Sequence, residues 1–192
     1  MLIKIKDREA FIPDDINDIS IEKYLNLNLL FIKIEEMTEI SFLIEYLKIL
    51  SGWDESFIKT LYETETTQFN DLFNPILELI KNSPTPKEAK TWTFNGVLYS
   101  CARIGILSIG ERSDIDTLNS TNKNQLDIFL NYLSIMIRPA TEAADEFGNV
   151  TYTVKEYEAD THILNERKKI FKDMPASNVM FIINSFTNGI QK

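Results

Sequence analysis

The chain has 192 residues, with 29 acidic side chains against 20 basic ones and a single cysteine, Cys101. Apolar residues make up 44% and charged residues 26%, enough for a sizeable core in one ordinary domain or two small ones, which argues against disorder. The net charge of −9 would repel phosphate backbones, which disfavours nucleic-acid binding, and one cysteine excludes an intrachain disulfide and fits a reducing compartment. No uncharged apolar run reaches the roughly 18 residues of a membrane span, and the start, MLIKIKDREAF, lacks the apolar region of a signal peptide.

Residues 2–6 alternate apolar and basic side chains, the pattern of a short strand, which Pro13-Asp14-Asp15 interrupts. Ser20 is placed to cap a short helix carrying Ile21, Tyr24 and Leu25, while 26–34 fits helix or strand. Thr38 is the expected N-cap of a helix reaching position 50. Ser41, Glu45 and Lys48 form its one polar stripe, and Gly52 is its left-handed stop. Asp54 caps the next, shorter helix. An amphipathic segment follows at 66–80, with Phe69, Leu72, Phe73, Ile76, Leu77 and Ile80 on one face and Pro75 as a kink or restart.

Residues 82–90, NSPTPKEAK, read as a linker, so that 84–90 separates an N-terminal helical part (1–83) from a hairpin-plus-helix part (91–192); the two can still pack as one domain. Asn95-Gly96 between apolar runs signals a tight hairpin. Ser113-Asp114 and Ser120-Thr121 read as turns or caps. A helix over 123–138 follows, with Asp127, Asn131, Ser134 and Arg138 as its polar stripe and a central position implied by the rest. Residues 139–157 look extended around a Phe147-Gly148-Asn149 turn; helices over 159–172 and from Pro175 to a stop at Gly189 complete the chain. The expected fold is therefore mainly α, with six or seven helices and one or two small β-hairpins.

Motifs for chemistry are sparse. His162 is the only histidine and has no cysteine near it, so neither a metal set nor a base for Cys101 is apparent, and no cofactor is expected. Gly105 and Gly110 have the spacing of a phosphate-binding loop, but Glu111-Arg112 follows where Lys and Ser or Thr are needed. Asp114 with Asp116, and 145–149, lack the remainder of a calcium loop and read as turn chemistry. The chain is not expected to be an enzyme.

Three stretches together resemble small proteins of tailed bacteriophages, in particular tail assembly chaperones. They are FLIEYLKILSGWDESFIKTLYETETTQFNDLFNPILELI (42–80), FNGVLY (94–99) with the later helix QLDIFLNYLSIMIRP (125–139), and a tyrosine segment at Tyr152 and Tyr157 followed by NERKKIF (165–171) and MPASNVMFIINSF (174–186). The resemblance is one of order and pattern over 42–186 and carries over no catalytic residue. It implies a protein that binds a phage structural protein, such as a tape-measure, tail or neck protein, in the host cytoplasm, with homo-oligomerisation possible. A structural component of the virion, and an enzyme with scattered carboxylates, are the alternatives. Tyr24 and Phe31 near the start and Phe181 and Phe186 on the final helix are the candidate partner-binding residues, against the plainer reading that aromatics at helical spacing are core.

Overall fold

A computed structural model describes residues 2–12, 15–65, 67, 69–70, 91–101, 107–121 and 124–180. The linker at 82–90, most of the segment at 66–80, Gly105, and the expected final helix beyond position 180 with Phe181 and Phe186 lie outside these. Chain contacts divide into two units, one of Met1–Thr85 with Pro175–Ser177 and the other of Pro86–Met174 with Asn178–Lys192.

In the first unit, β1 (Leu2–Ile5) and β2 (Arg8–Phe11) form an antiparallel hairpin. Ile3, Ile5 and Ala10 face inward, whereas Leu2 and Phe11, opposite one another, face water. Helix α1 (Ile21–Ile32) starts at Ser20, whose side chain accepts the Lys23 N–H, and it absorbs the ambiguous stretch through position 32. Thr38 caps α2 (Glu39–Ser51), which ends at Gly52 with φ +74°. Most side chains adopt that φ only with strain, so glycine is favoured there. Ser41 and Lys48 of the α2 polar stripe are exposed, whereas Phe42, Tyr46, Leu47 and Leu50 are buried. Asp54 caps α3 (Glu55–Thr64).

Ion pairing and stacking fasten the hairpin to this corner. Arg8 bonds Asp54 at 2.6 Å and lies over the Phe57 ring, and Trp53 Nε1 donates to the Glu9 carbonyl at 3.4 Å. From the far end of the chain, Ala176 N–H donates to Ile19 and Ser177 Oγ to Asn17.

The second unit holds β3 (Thr91–Phe94), β4 (Val97–Cys101), α4 (Ile109–Thr121), α5 (Gln125–Met136), β5 (Ile137–Ala144), β6 (Val150–Val154) and α6 (Thr161–Lys172). The strands form one antiparallel sheet in the order β3-β4-β5-β6. Asn95 and Gly96 both have positive φ, as the sequence signal for a type I′ turn requires. Ile115, Ile135 and Leu164 form a core cluster, bringing α4, α5 and α6 together, and Leu130 and Leu133 of α5 are fully buried.

The fold is α+β, not mainly α with minor β: among the described residues it has six α-helices and six strands in two antiparallel sheets. Two features raise the strand content above the expectation. Arg8–Phe11 turns back through Lys6 at φ 55°, with no glycine or asparagine to mark the turn. Ile137–Ala144 begins directly at the end of α5, so Ile137 and Arg138, read as the end of that helix, are strand, and the stretch expected to be extended from 139 pairs with β4 as well as with β6. Two further readings need correction. Ser113-Asp114 and Ser120-Thr121 are not turns but parts of α4. The α5 polar stripe does not face water: Asn131 and Ser134 are buried.

Candidate functional site

Of the four aromatic residues predicted to bind a partner, two are described. Tyr24 and Phe31 lie on α1 and are half-buried. The Phe31 ring packs against Phe42 at 5.5 Å and Tyr46 at 6.4 Å, so most of it serves the core between α1 and α2. The exposed apolar residues near it are aliphatic: Ile32, Ile34 and Ile40 bracket the connection between the two helices.

The second unit exposes apolar side chains at Ile109 on α4 and, grouped together, on the β5–β6 hairpin. The β5–β6 pairing runs from Ala140↔Val154 to Ala144↔Val150, closed by a turn at 145–149. The Asp145 carboxylate accepts the N–H groups of Phe147 and Asn149 and the Asn149 side-chain amide; these bonds, led by the Asn149 amide, hold its pKa below the usual range. This is the turn chemistry expected at 145–149. Every residue from 141 to 153 is exposed. Successive side chains of a strand point to opposite faces, so both faces of this hairpin meet water. Its tip carries Phe147, 82% exposed, and β6 presents Val150 and Tyr152. A bare two-stranded hairpin is marginally stable, and an aromatic at its tip contributes nothing to a core. Such a hairpin has the form of an arm. Alternation in 150–154 marked the strand in the sequence; its two-sided exposure had no sequence signal.

A buried polar network anchors the root of the arm. Arg138, on β5, bonds Glu111 of α4 at 3.0 Å with both side chains nearly removed from water. Glu111 also accepts the Ser108 N–H at 2.6 Å, so it caps α4 while pairing with the arginine. The Arg138 guanidinium lies 6.0 Å from the centre of the Tyr157 ring, and the Tyr157 hydroxyl donates to Asp114. Burial and that carboxylate push the Tyr157 pKa up. From α6, Arg167 donates to the Ser134 carbonyl at 3.4 Å, with Glu158 at 3.9 Å. The Arg-Pro step, the tyrosine segment and the arginine-bearing helix, separate along the sequence, thus meet in one cluster.

Beside this network lies a cavity of about 100 Å³ lined by Asp114, Thr117, Asn131, Asn165 and Lys168, among others. The Asn131 side chain is buried, and neither of its polar atoms has a hydrogen-bond partner among the described residues. The cavity is large enough for water or a small polar molecule to satisfy it. Cys101 pairs in register with Ile137, and burial pushes its thiol up to about 12, far from a reactive thiolate. His162 is exposed near the start of α6. Among the described residues no three His, Cys, Asp or Glu side chains gather to hold a metal ion, and no helix is long and apolar enough to cross a membrane. The chain matches no protein-family model, no curated protein and no solved structure.

Proposed function

We propose that this protein acts in the assembly of tailed-bacteriophage particles by binding another phage protein, in the manner of a tail assembly chaperone. The observation that carries the reading is the β5–β6 arm, exposed on both faces and tipped by Phe147. A hairpin of this kind offers a partner an exposed aromatic anchor at its tip. The likeness in order and pattern to small phage proteins supplies the context, and the acidic surface favours a protein partner over DNA. The place of action would be the host cytoplasm, and the partner a tape-measure, tail or neck protein.

The test is affinity capture from infected cells alongside a proteomic count of purified particles. Co-purification with a tape-measure or tail-tube protein, and absence from the finished particle, is the expected result. Fixed copy number in the particle would replace the chaperone reading with a structural virion component. Failure of both, with a metabolite raising the melting temperature instead, would end the binding-protein reading.

A further inference from the structure

β6 is the last strand of its sheet, and no strand lies against its outer edge among the described residues. The ladder to β5 fixes which groups that edge offers. Lys155 N–H donates to the Pro139 carbonyl at 2.8 Å, and Asp145 N–H donates to that of Asn149 at 3.0 Å. In the observed register, Thr151 and Thr153 then bond toward β5. Hydrogen-bonding direction alternates along an antiparallel strand, so the N–H and C=O groups of Val150, Tyr152 and Val154 point outward. Within 150–154 the strand has no proline, lysine or other charge to discourage a further strand from pairing.

What pairs with such an edge is written in the strand itself. It reads Val-Thr-Tyr-Thr-Val, the same in both directions. A two-fold axis through Tyr152 sets that residue opposite the second copy's Tyr152, each Val150 opposite a Val154, and each Thr151 opposite a Thr153. These are favourable cross-strand pairs. The hydrogen-bond phase selects the same centre independently, because Tyr152 is the middle one of the three outward-facing residues. Charges also complement in this register. Lys155 falls opposite the second copy's Asn149, and so near the acidic turn of Asp145, and no charged residues oppose one another within 150–154.

We infer that a second copy of this chain docks antiparallel on β6, about a two-fold axis through Tyr152, extending the sheet across both copies. The contact is isologous and closes on itself, as a dimer requires. This inference stands independently of the phage reading, since self-association and capture of a phage protein are measured separately.

The test is light scattering coupled to size exclusion on the full chain over a wide concentration series. The wild type should reach twice its 22.2 kDa mass. Tyr152→Lys and Tyr152→Glu should each return to monomer, because the axis sets each substituted residue against itself. Mixing these two variants should restore a dimer through Lys–Glu pairing. Tyr152→Pro, which removes an outward N–H and leaves those bonding to β5, should also be monomeric. Since Tyr152 is exposed, Lys and Glu variants that melt where the wild type does at concentrations low enough to dissociate it would show that folding is intact. A wild type that stays at 22.2 kDa throughout overturns the inference, as does a dimer indifferent to Tyr152→Lys or a mixture that fails to re-form one. So does a monomer whose edge captures an extended segment of a different protein and loses it in Tyr152→Pro.

Discussion

Glu111 and Arg138 face each other at 3.0 Å, their side chains 5% and 11% exposed. Removing one partner strands the other's charge where water cannot reach it, and that stranded charge sets the cost. Glu111→Ala should therefore destabilise the protein by about 3–5 kcal/mol, read from the urea midpoint. Adding Arg138→Met to that variant should recover much of the loss, since an apolar pair has no charge to desolvate. If the two losses simply added, Arg138 and Glu111 would not be acting as a pair. In the sequence Glu111 was legible only as a reason to reject a phosphate loop, because its partner lies 27 positions away.

Asp54 shows a different balance, at the surface. The Ser56 hydroxyl and then the Phe57 N–H, with Arg8 adding to them, lower its pKa from 3.8 to about 2. A depressed carboxyl stabilises the fold above its unfolded pKa, and this contribution fades as pH falls from about 4 to about 2. Asp54→Asn keeps an N-cap but carries no charge, so acid titration of its stability should lack that component. An identical acid slope in the two proteins would refute this account of Asp54.

At the scale of elements, α5 is where pattern and packing diverge. Its helical period and central position were legible in the sequence; the direction of its polar stripe was not. Ser134 Oγ bonds back to the Asn131 carbonyl at 2.8 Å, and the Ser134 carbonyl accepts Arg167 of α6. The Ser134 hydroxyl is thus satisfied inside its own helix and the Asn131 side chain lines the cavity, so both are buried at positions that the helical period alone reads as solvent-facing. Leu130→Ala should cost about 2–5 kcal/mol and Asp127→Ala within about 0.5 kcal/mol; equal urea midpoints would refute the placement of these two positions. The β3–β4 hairpin was fully legible, because Asn95-Gly96 fixes its turn locally. At Gly96, φ is +74° and a Cβ would meet nothing within 4 Å. Gly96→Ala should thus be penalised by backbone strain alone, roughly 1–2 kcal/mol, and measurement of its melting temperature checks this. No loss would mean that the turn relaxes.

Across the whole molecule, the helix caps at Ser20, Thr38, Asp54 and Asn124 are local events, and three of them were readable from residue type alone. The sheets required pairings between distant segments. Tyr99, Ser100 and Cys101 pair with Pro139, Arg138 and Ile137, which joins two hairpins into a four-stranded sheet and turns a helical expectation into an α+β fold. The candidate site followed the same division: its strand was visible as alternation, and its exposure on both faces emerged only once the fold showed what does not cover it.

The central claim is that this protein works by binding another protein through that arm. The most direct measurement is affinity capture from phage-infected cells by the wild type and by Phe147→Asp, each checked for an unchanged melting temperature. Phe147 is 82% exposed, so the substitution leaves the fold intact. The account predicts that the wild type retains a phage assembly protein and that Phe147→Asp releases most of it. Equal capture by both proteins would contradict it.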